Sequence, residues 1–314
     1  MLVIIPLIVG REDHFQRTIN AIFRLGYEGS ILAIRGEGIT ASRFQNPHLL
    51  ITSKTYNLNG MASIFQAIES ESHIIKQFQC VAYCDDDNLI NPSFLEKAAK
   101  FLQDHEHYAG CNGRRFLCSR SDYKFSFLGQ YASQHLDAET ETQRLEQYCQ
   151  QGGILFYAVL RSKVFLESLF GIASIQDNNS AELLLNYRLP KFGKFALLPE
   201  IQLARPYPRP AIFNIPEALT WLHSDRMHPS LMRCIDMLIS DYGISRDQKR
   251  QNDFFKFTIG QYLQRRFYGA QPSTIAKSCK PITNFCFSAL HRKTIAKMLD
   301  AFNENNRPLK GSRP

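Results

Sequence analysis

Short apolar runs alternate along the chain with stretches whose apolar positions recur at helical spacing. Leu2 to Val9 predicts a strand, and Asp13 to Leu25 a helix with Phe15, Ile19, Ile22 and Phe23 on one face. Ile31 to Ile34 and Leu49 to Thr52 predict two more strands. Asn59 to Lys76 predicts one helix, with Met61, Ile64, Phe65 and Ile68 as its apolar stripe. Cys80 to Cys84 is the fourth strand, and Asn91-Pro92 opens a helix through Asp104, because proline suits the first helical turn. This alternation predicts a parallel sheet with helices packed on it, a class in which ligands bind beyond the carboxyl ends of the strands. Further on, Tyr108 to Tyr131 is strand-like and Asp137 to Gln150 helical. Gly152 to Leu160 reads as a strand, Ser162 to Phe170 and Ala181 to Leu189 as helices, and Phe195 to Leu203 as a strand. The proline-rich "RPYPRP" from Arg205 to Pro210 reads as a linker. The expected organisation is a sheet-bearing domain over 1–205 and a mostly helical region over 206–314.

Composition narrows the class. A hydrophobic content of 44% and a charged content of 21% are those of a soluble globular protein. The opening "MLVIIPLIVGRED" is too short for a membrane span and has no basic flank, so it reads as a buried strand. Eight cysteines without a C-x-x-C pair predict reduced thiols and a cytoplasmic protein. The net charge of +8 is uneven: Arg226 to Pro314 carries 16 Lys and Arg against 6 Asp and Glu. Two readings of that basic region stay open, a face for a polyanion or anionic membrane and a face that keeps the protein soluble. Its interleaved "FFKFTIGQYLQRRFYG" suits peripheral membrane contact or packing on the rest of the chain. No nucleic-acid motif is present, so nucleic acid is not an expected partner.

The candidate chemistry lies in "QCVAYCDDDNLINP", where three acids follow the fourth strand. A charge run is usually a solvated turn, but acids at the carboxyl end of a buried strand also suit a divalent cation. In extended chain Asp85 and Asp87 would face one way and Asp86 the other. Two carboxylates on one side make a half-shell for Mg²⁺ or Mn²⁺, which take oxygen ligands at roughly 2.0–2.2 Å and leave places for substrate phosphates.

These residues resemble the GT-A glycosyltransferases, especially the inverting family 2, which place an Asp-x-Asp motif at the end of a mid-domain strand. The segment "NLNGMASIFQAIES" is similar to that family's helix start before the strand, and "GGILFYAVLRSKVF" to its acceptor-side strand and helix. In "AELLLNYRLPKFGKFALLPE", counting from Glu182 gives Leu185, Arg188, Leu189 and Gly193 at the family's spacing. The resemblance implies a GT-A type, Rossmann-like mixed, mostly parallel sheet flanked by helices. It implies a nucleotide-diphospho-sugar donor, Mn²⁺ or Mg²⁺ on Asp85 and Asp87, and transfer with inversion to a glycan, lipid-linked or protein acceptor. Donor contacts fall on Pro6, Leu7, Arg11, Arg35, Glu37, Asn59 and Asp86, with Arg114 and Arg115 further candidates. The general base is Glu182, expected to open a helix, with Asp177 in reserve; the family's usual Glu-Asp is here Ala181-Glu182. His223 is a possible further metal ligand, Trp221 a core or sugar-stacking residue, and Asn88 the expected cap of the next helix. Two other functions compete. A nucleotidyltransferase would carry a glycine-rich loop after the first strand, where "IVGREDHFQRT" has one glycine. A non-catalytic basic protein would bind a polyanion or anionic membrane and ignore sugar nucleotides.

Overall fold

The computed structural model describes residues 1–44, 46–121, 124–131, 133–206, 228–244 and 289–304, with Asp247, Arg250, Gln251, Asp253, Phe254 and Gly260. Trp221, His223 and the aromatic-basic stretch from 255 on, Gly260 apart, lie outside them. Strand β1 (Leu2–Leu7) is buried along its whole length. Cover on both faces explains why it reads as an unbroken apolar run. Helix α1 (Glu12–Arg24) has Glu12 and Asp13 in its first turn and Arg24 in its last, charges that suit the helix dipole, and it buries Phe15, Ile19 and Ile22. Strands β2 (Ser30–Arg35), β3 (Leu49–Ile51) and β4 (Cys80–Tyr83) follow.

The single helix expected over 59–76 is two, α2 (Met61–Ser70) and the one-turn α3 (Ser72–Ile75). The break is at Glu71, which is buried and accepts a hydrogen bond from the Tyr56 hydroxyl. Next come β5 (Leu89–Ile90), α4 (Pro92–Asp104) and the hairpin β6 (Tyr108–Ser121) and β7 (Lys124–Tyr131). Helix α5 (Glu141–Gln151) starts where the Thr140 hydroxyl accepts the Gln143 amide. Strand β8 (Val159–Arg161), α6 (Ser162–Leu169), α7 (Asn178–Arg188) and β9 (Lys194–Pro206) complete this part. Helices α8 (His228–Asp241) and α9 (Ala289–Glu304) lie beyond it.

Among the described residues the strands form one nine-stranded sheet, ordered β3-β2-β1-β4-β8-β6-β9-β5, with β7 on β6. Pairing is parallel through β3, β2, β1 and β4, antiparallel on both sides of β8, and parallel again between β6 and β9. Six strands therefore point one way, and β5, β7 and β8 run against them. This is the mixed, mostly parallel sheet flanked by helices that the GT-A expectation describes.

Two expectations are corrected. Gly152 to Leu160 is a strand only from Val159, since Leu155–Tyr157 forms a turn of 3-10 helix. Gly152 and Gly153 take positive φ, and the Asn186 side chain accepts the amides of Leu155 and Phe156 that a sheet ladder would otherwise use. The expected linker begins inside β9, where Pro206 pairs with Cys118 at the strand end, a place where a missing N–H is tolerated.

Helix α8 packs on α7, tied by Arg188 Nε to Asp241 Oδ2 at 2.6 Å, and α9 packs on α1, β7 and β9. The six described cysteines are buried. Among the described residues no helix is long and apolar enough to cross a membrane.

Candidate active site

Strands β1, β2 and β4 run parallel, so the segments after Leu7, Arg35 and Tyr83 emerge at one edge of the sheet. There the acid triplet does not continue the strand. β4 stops at Tyr83, and the Asn88 amide donates to the Asp85 carbonyl at 3.1 Å, closing a turn. The expected alternation of faces fails for that reason. Asp86 and Asp87 share one partner, and Asp85 has others.

The shared partner is Arg11. Gly10 takes φ +77°, a conformation that favours glycine, and the chain turns there from β1 into α1. Arg11, at the start of α1, donates from Nε to Asp86 Oδ2 at 2.6 Å and from Nη2 to Asp86 Oδ1 at 2.7 Å. Nη2 also reaches Asp87 Oδ2 at 3.0 Å. Asp86 is 1% exposed, and burial pushes its carboxyl up to about 6 although the bonds and charge of Arg11 pull it down. Burial also works against charge on Arg11, but the two carboxylates outweigh it and raise the guanidinium above its ordinary value. The Thr18 hydroxyl donates to the Asp86 carbonyl at 2.7 Å and fixes the turn to α1.

Asp85 is held on both oxygens. The Tyr83 hydroxyl donates to Oδ1 at 2.8 Å, the Asn88 amide to Oδ2 at 3.2 Å, and the Tyr157 hydroxyl also to Oδ2. Burial first, and then the charge of Asp85, push the Tyr83 phenol well above its ordinary value, so it stays a protonated donor. Asn88 is thus a partner of Asp85, and the cap position of α4 belongs to Asn91. Gln202 donates from Nε2 to the Tyr157 carbonyl and accepts from Arg115 Nε at 3.1 Å. Arg115 is fully buried, with further bonds to the Ile154 carbonyl at 2.6 Å and Asn112 Oδ1 at 2.5 Å. It is scaffold behind Tyr157, where an exposed or donor-binding arginine was expected; Arg114 is half-buried.

Helix α7 begins earlier than expected, and this corrects the reading of Glu182. Asp177 is its N-cap, with Oδ1 accepting the Ser180 amide at 2.9 Å, so the helix-opening acid is Asp177. Glu182 lies in the second turn, one turn past the helix start where it was expected. Asn178, Glu182 and Asn186 are spaced four apart on one face. Asn178 Oδ1 accepts the Ala62 amide of α2 at 3.2 Å, and Asn186 accepts the Leu155 amide at 2.6 Å. Those neighbours flank Asp85, through Met61 against the Tyr83 hydroxyl and through Tyr157. Gly60 permits the approach, since a Cβ there would lie 2.1 Å from Asn178 Oδ1.

The remaining candidates are more scattered. Pro6 is buried within β1 opposite Ile34. Half-buried Arg35 donates to the Ser53 carbonyl, and Glu37 is exposed just past β2. Asn59 is exposed before α2, its amide donating to Ser63 Oγ at 3.0 Å. The fold thus joins Arg11 directly to Asp86 and Asp87, and gives the neighbouring Asp85 partners of its own. Tyr83 and Tyr157 were missed by sequence reasoning. Tyr83 was discoverable, two residues before Asp85 on a strand, whereas Tyr157 is 72 residues away and carries no local signal.

No family model and no curated protein matches the chain. Its fold is similar to that of S. aureus TarS. The structure of TarS residues 1–349 in complex with UDP-GlcNAc aligns with a TM-score of 0.47 and 11% identity, over 97% of this chain and 90% of that one. The same TarS fragment in complex with UDP aligns with a TM-score of 0.43 and 12% identity, over 97% and 89%. At such identities the likeness is one of fold.

The acid turn itself bears on metal binding. Asp86 is committed to Arg11, which leaves Asp85 and Asp87 as oxygen donors of the kind Mg²⁺ and Mn²⁺ take. Hydrogen bonds that orient a ligating carboxylate are usual around metals, and Asp85 has them from Tyr83, Tyr157 and Asn88. Among the described residues no group of three or more His, Cys, Asp or Glu side chains is arranged to hold a metal ion. Two carboxylates would leave most of such a cation's shell to other oxygens.

Proposed function

We propose that the chain is a metal-dependent glycosyltransferase that moves a sugar from a nucleoside diphosphate to an acceptor hydroxyl with inversion. The observation that carries the reading is the buried acid turn, Asp85 to Asp87, beside Arg11 at the carboxyl edge of the parallel strands. That edge is where open α/β sheets bind ligands. Asp85 and Asp87 would hold Mg²⁺ or Mn²⁺, which when bound supplies positive charge to the departing diphosphate. Arg11 is the protein's own cation at the same place, and its third bond, to Asp87, can be exchanged for a phosphate oxygen without losing the fork on Asp86. Tyr83 and Tyr157 keep Asp85 fixed while the donor enters.

The acceptor oxygen attacks the anomeric carbon, its proton passes to a carboxylate, and the carbon–oxygen bond electrons leave with the diphosphate. Glu182 is assigned as that base, on the α7 face between Asn178 and Asn186. Asp177 is the alternative, but its bond to the Ser180 amide gives it a capping role already. A cytoplasmic setting is part of this reading, for a chain of eight cysteines without a C-x-x-C pair. The peripheral membrane contact falls on the basic region beyond Pro206, of which the described helix α9 lies against α1 and β9.

The test is thermal stability against UDP, GDP, CMP and dTDP, each with and without Mn²⁺. One diphosphate should raise the melting temperature only with Mn²⁺, and Asp87→Asn should abolish the shift. Product analysis with the matching sugar nucleotide should then show loss of transfer in Glu182→Gln and not in Asp177→Asn. A well-folded sample that responds to none of the nucleotides would instead favour a non-catalytic binding protein.

A further inference from the structure

One guanidinium serves two carboxylates at the acid turn. Arg11 forks onto Asp86 from Nε and Nη2 at 2.6 and 2.7 Å, and its bond from Nη2 to Asp87 Oδ2 is the longest of the three, at 3.0 Å. The two carboxylates also differ in access. The Asp86 side chain is 2% exposed, against 8% for Asp87 and 11% for Arg11. The fork is therefore sealed, and the third bond lies nearer to solvent. The backbone of Arg11 is pinned as well. Its amide donates to the Ile8 carbonyl at 3.0 Å, and its carbonyl accepts the His14 and Phe15 amides at 2.9 and 3.1 Å. The third bond can change partner while the fork and the helix start stay in place.

Asp87 is also one of the two oxygen donors assigned above to a divalent cation, and the inference rests on that glycosyltransferase reading. Its carboxylate then has two positive partners. A cation on either oxygen of Asp87 comes close to the guanidinium, and like charges repel strongly where water is largely excluded. Asp85 leaves this conflict untouched. Its donors are Tyr83, Tyr157 and Asn88, and the guanidiniums of Arg115 and Arg205 lie over the Tyr157 ring at 5.8 and 5.7 Å. A diphosphate removes the conflict. Its oxygens accept charge-assisted bonds from an arginine, so they offer Nη2 a new acceptor and place negative charge between the two cations.

We propose that Arg11 is the built-in counter-cation of the acid turn: its Nη2 competes with a divalent cation for Asp87 and leaves it when a diphosphate binds. Titration of Mn²⁺ into the nucleotide-free full chain at neutral pH, followed by the spin-resonance signal of the unbound ion, tests this. Arg11→Met combined with Asp86→Asn removes the cation and its buried carboxylate together, so net charge is kept and no buried charge is orphaned. This double variant should bind Mn²⁺ at least about tenfold more tightly than the parent, and adding Asp87→Asn should cancel the gain. Its rise in melting temperature with nucleoside diphosphate and Mn²⁺ should shrink, the opposite direction, which a merely structural Arg11 would not produce. Arg11→Lys keeps the charge but cannot bridge two carboxylates as a fork does, so it should show a smaller gain, and it serves if the double variant does not fold. Mn²⁺ affinity no higher in these variants than in the parent, or a gain that survives Asp87→Asn, overturns the proposal. If the parent still responds to a nucleotide with Mn²⁺, the glycosyltransferase reading stands in that case. A parent that takes up Mn²⁺ under no condition overturns both.

Discussion

The two ends of strand β4 are built in opposite ways. At the carboxyl end the charges are buried and the protein supplies their partners, Arg11 for Asp86 and Asp87, and Tyr83, Tyr157 and Asn88 for Asp85. At the amino end the charges sit on exposed lysines, and the buried group is the neutral hydroxyl of Ser162, which meets no hydrogen-bond partner among the described residues. The difference follows from cost. An uncompensated buried charge costs several kcal/mol, so the fold must satisfy it at all times. A neutral hydroxyl left without a partner costs about 1–3 kcal/mol, which a domain can carry.

The contrast breaks most severely at Arg11. Arg11→Met strips Asp86 of its fork and should lower the unfolding free energy by about 3–5 kcal/mol, read from denaturant melts at neutral pH. A loss under about 1 kcal/mol would mean that Asp86 does not depend on Arg11, and the partnered end of the contrast would collapse.

Acidity gives the next effect. The Asp86 carboxyl lies at about 6 in the folded chain against an ordinary 3.8, so the fold favours its protonated form. Its contribution to stability is therefore fully present below about pH 4 and is lost as pH rises through about 6, an effect on the order of 3 kcal/mol. Melts in metal-free buffer across that window should show this decline, and Asp86→Asn should flatten it. A profile unchanged by the substitution would refute the assignment to Asp86.

Tyr157→Phe sharpens the same end more gently. Removing one of three donors to buried Asp85 should cost about 1–2 kcal/mol and weaken nucleotide binding without altering the sheet. Unchanged nucleotide affinity would separate Asp85 from the donor site. Ser162→Ala, at the other end of β4, is the smallest effect. The substitution removes an unsatisfied hydroxyl, so stability should stay within about 0.5 kcal/mol of the parent or rise. A clear loss would show that the hydroxyl already has a partner.

Legibility followed the range of the interactions. The strands and helices up to Asp104 were readable because apolar period and proline placement are local signals, as in the unbroken run of β1 and the Pro92 start of α4. The misreadings share a cause. The 59–76 helix breaks at a buried Glu71 that meets Tyr56, and the expected strand from Gly152 yields to Asn186, 31 residues from Leu155. In the second case a distant side chain took over amides that a local pattern had assigned to a sheet ladder; in the first, the break coincides with a side-chain bond that no local pattern shows. Arg115 is the same case in charge: an arginine reads as solvated unless its burial partners, Gln202, Asn112 and the Ile154 carbonyl, are known.

The sequence by itself determined that three acids follow a buried strand within an alternating α/β pattern, since hydrophobic period and a charge run are properties of neighbouring residues. It also named both candidate bases, Asp177 and Glu182, although its helix began at Ala181 and left Asp177 outside. Only the tertiary structure decided how those groups divide. Folding brought Arg11 from 75 residues away onto Asp86 and Tyr157 from 72 residues away onto Asp85, and it gave the cap of α7 to Asp177. A buried charge must find its partner wherever the chain returns, and that return is set by the order of strands in the sheet.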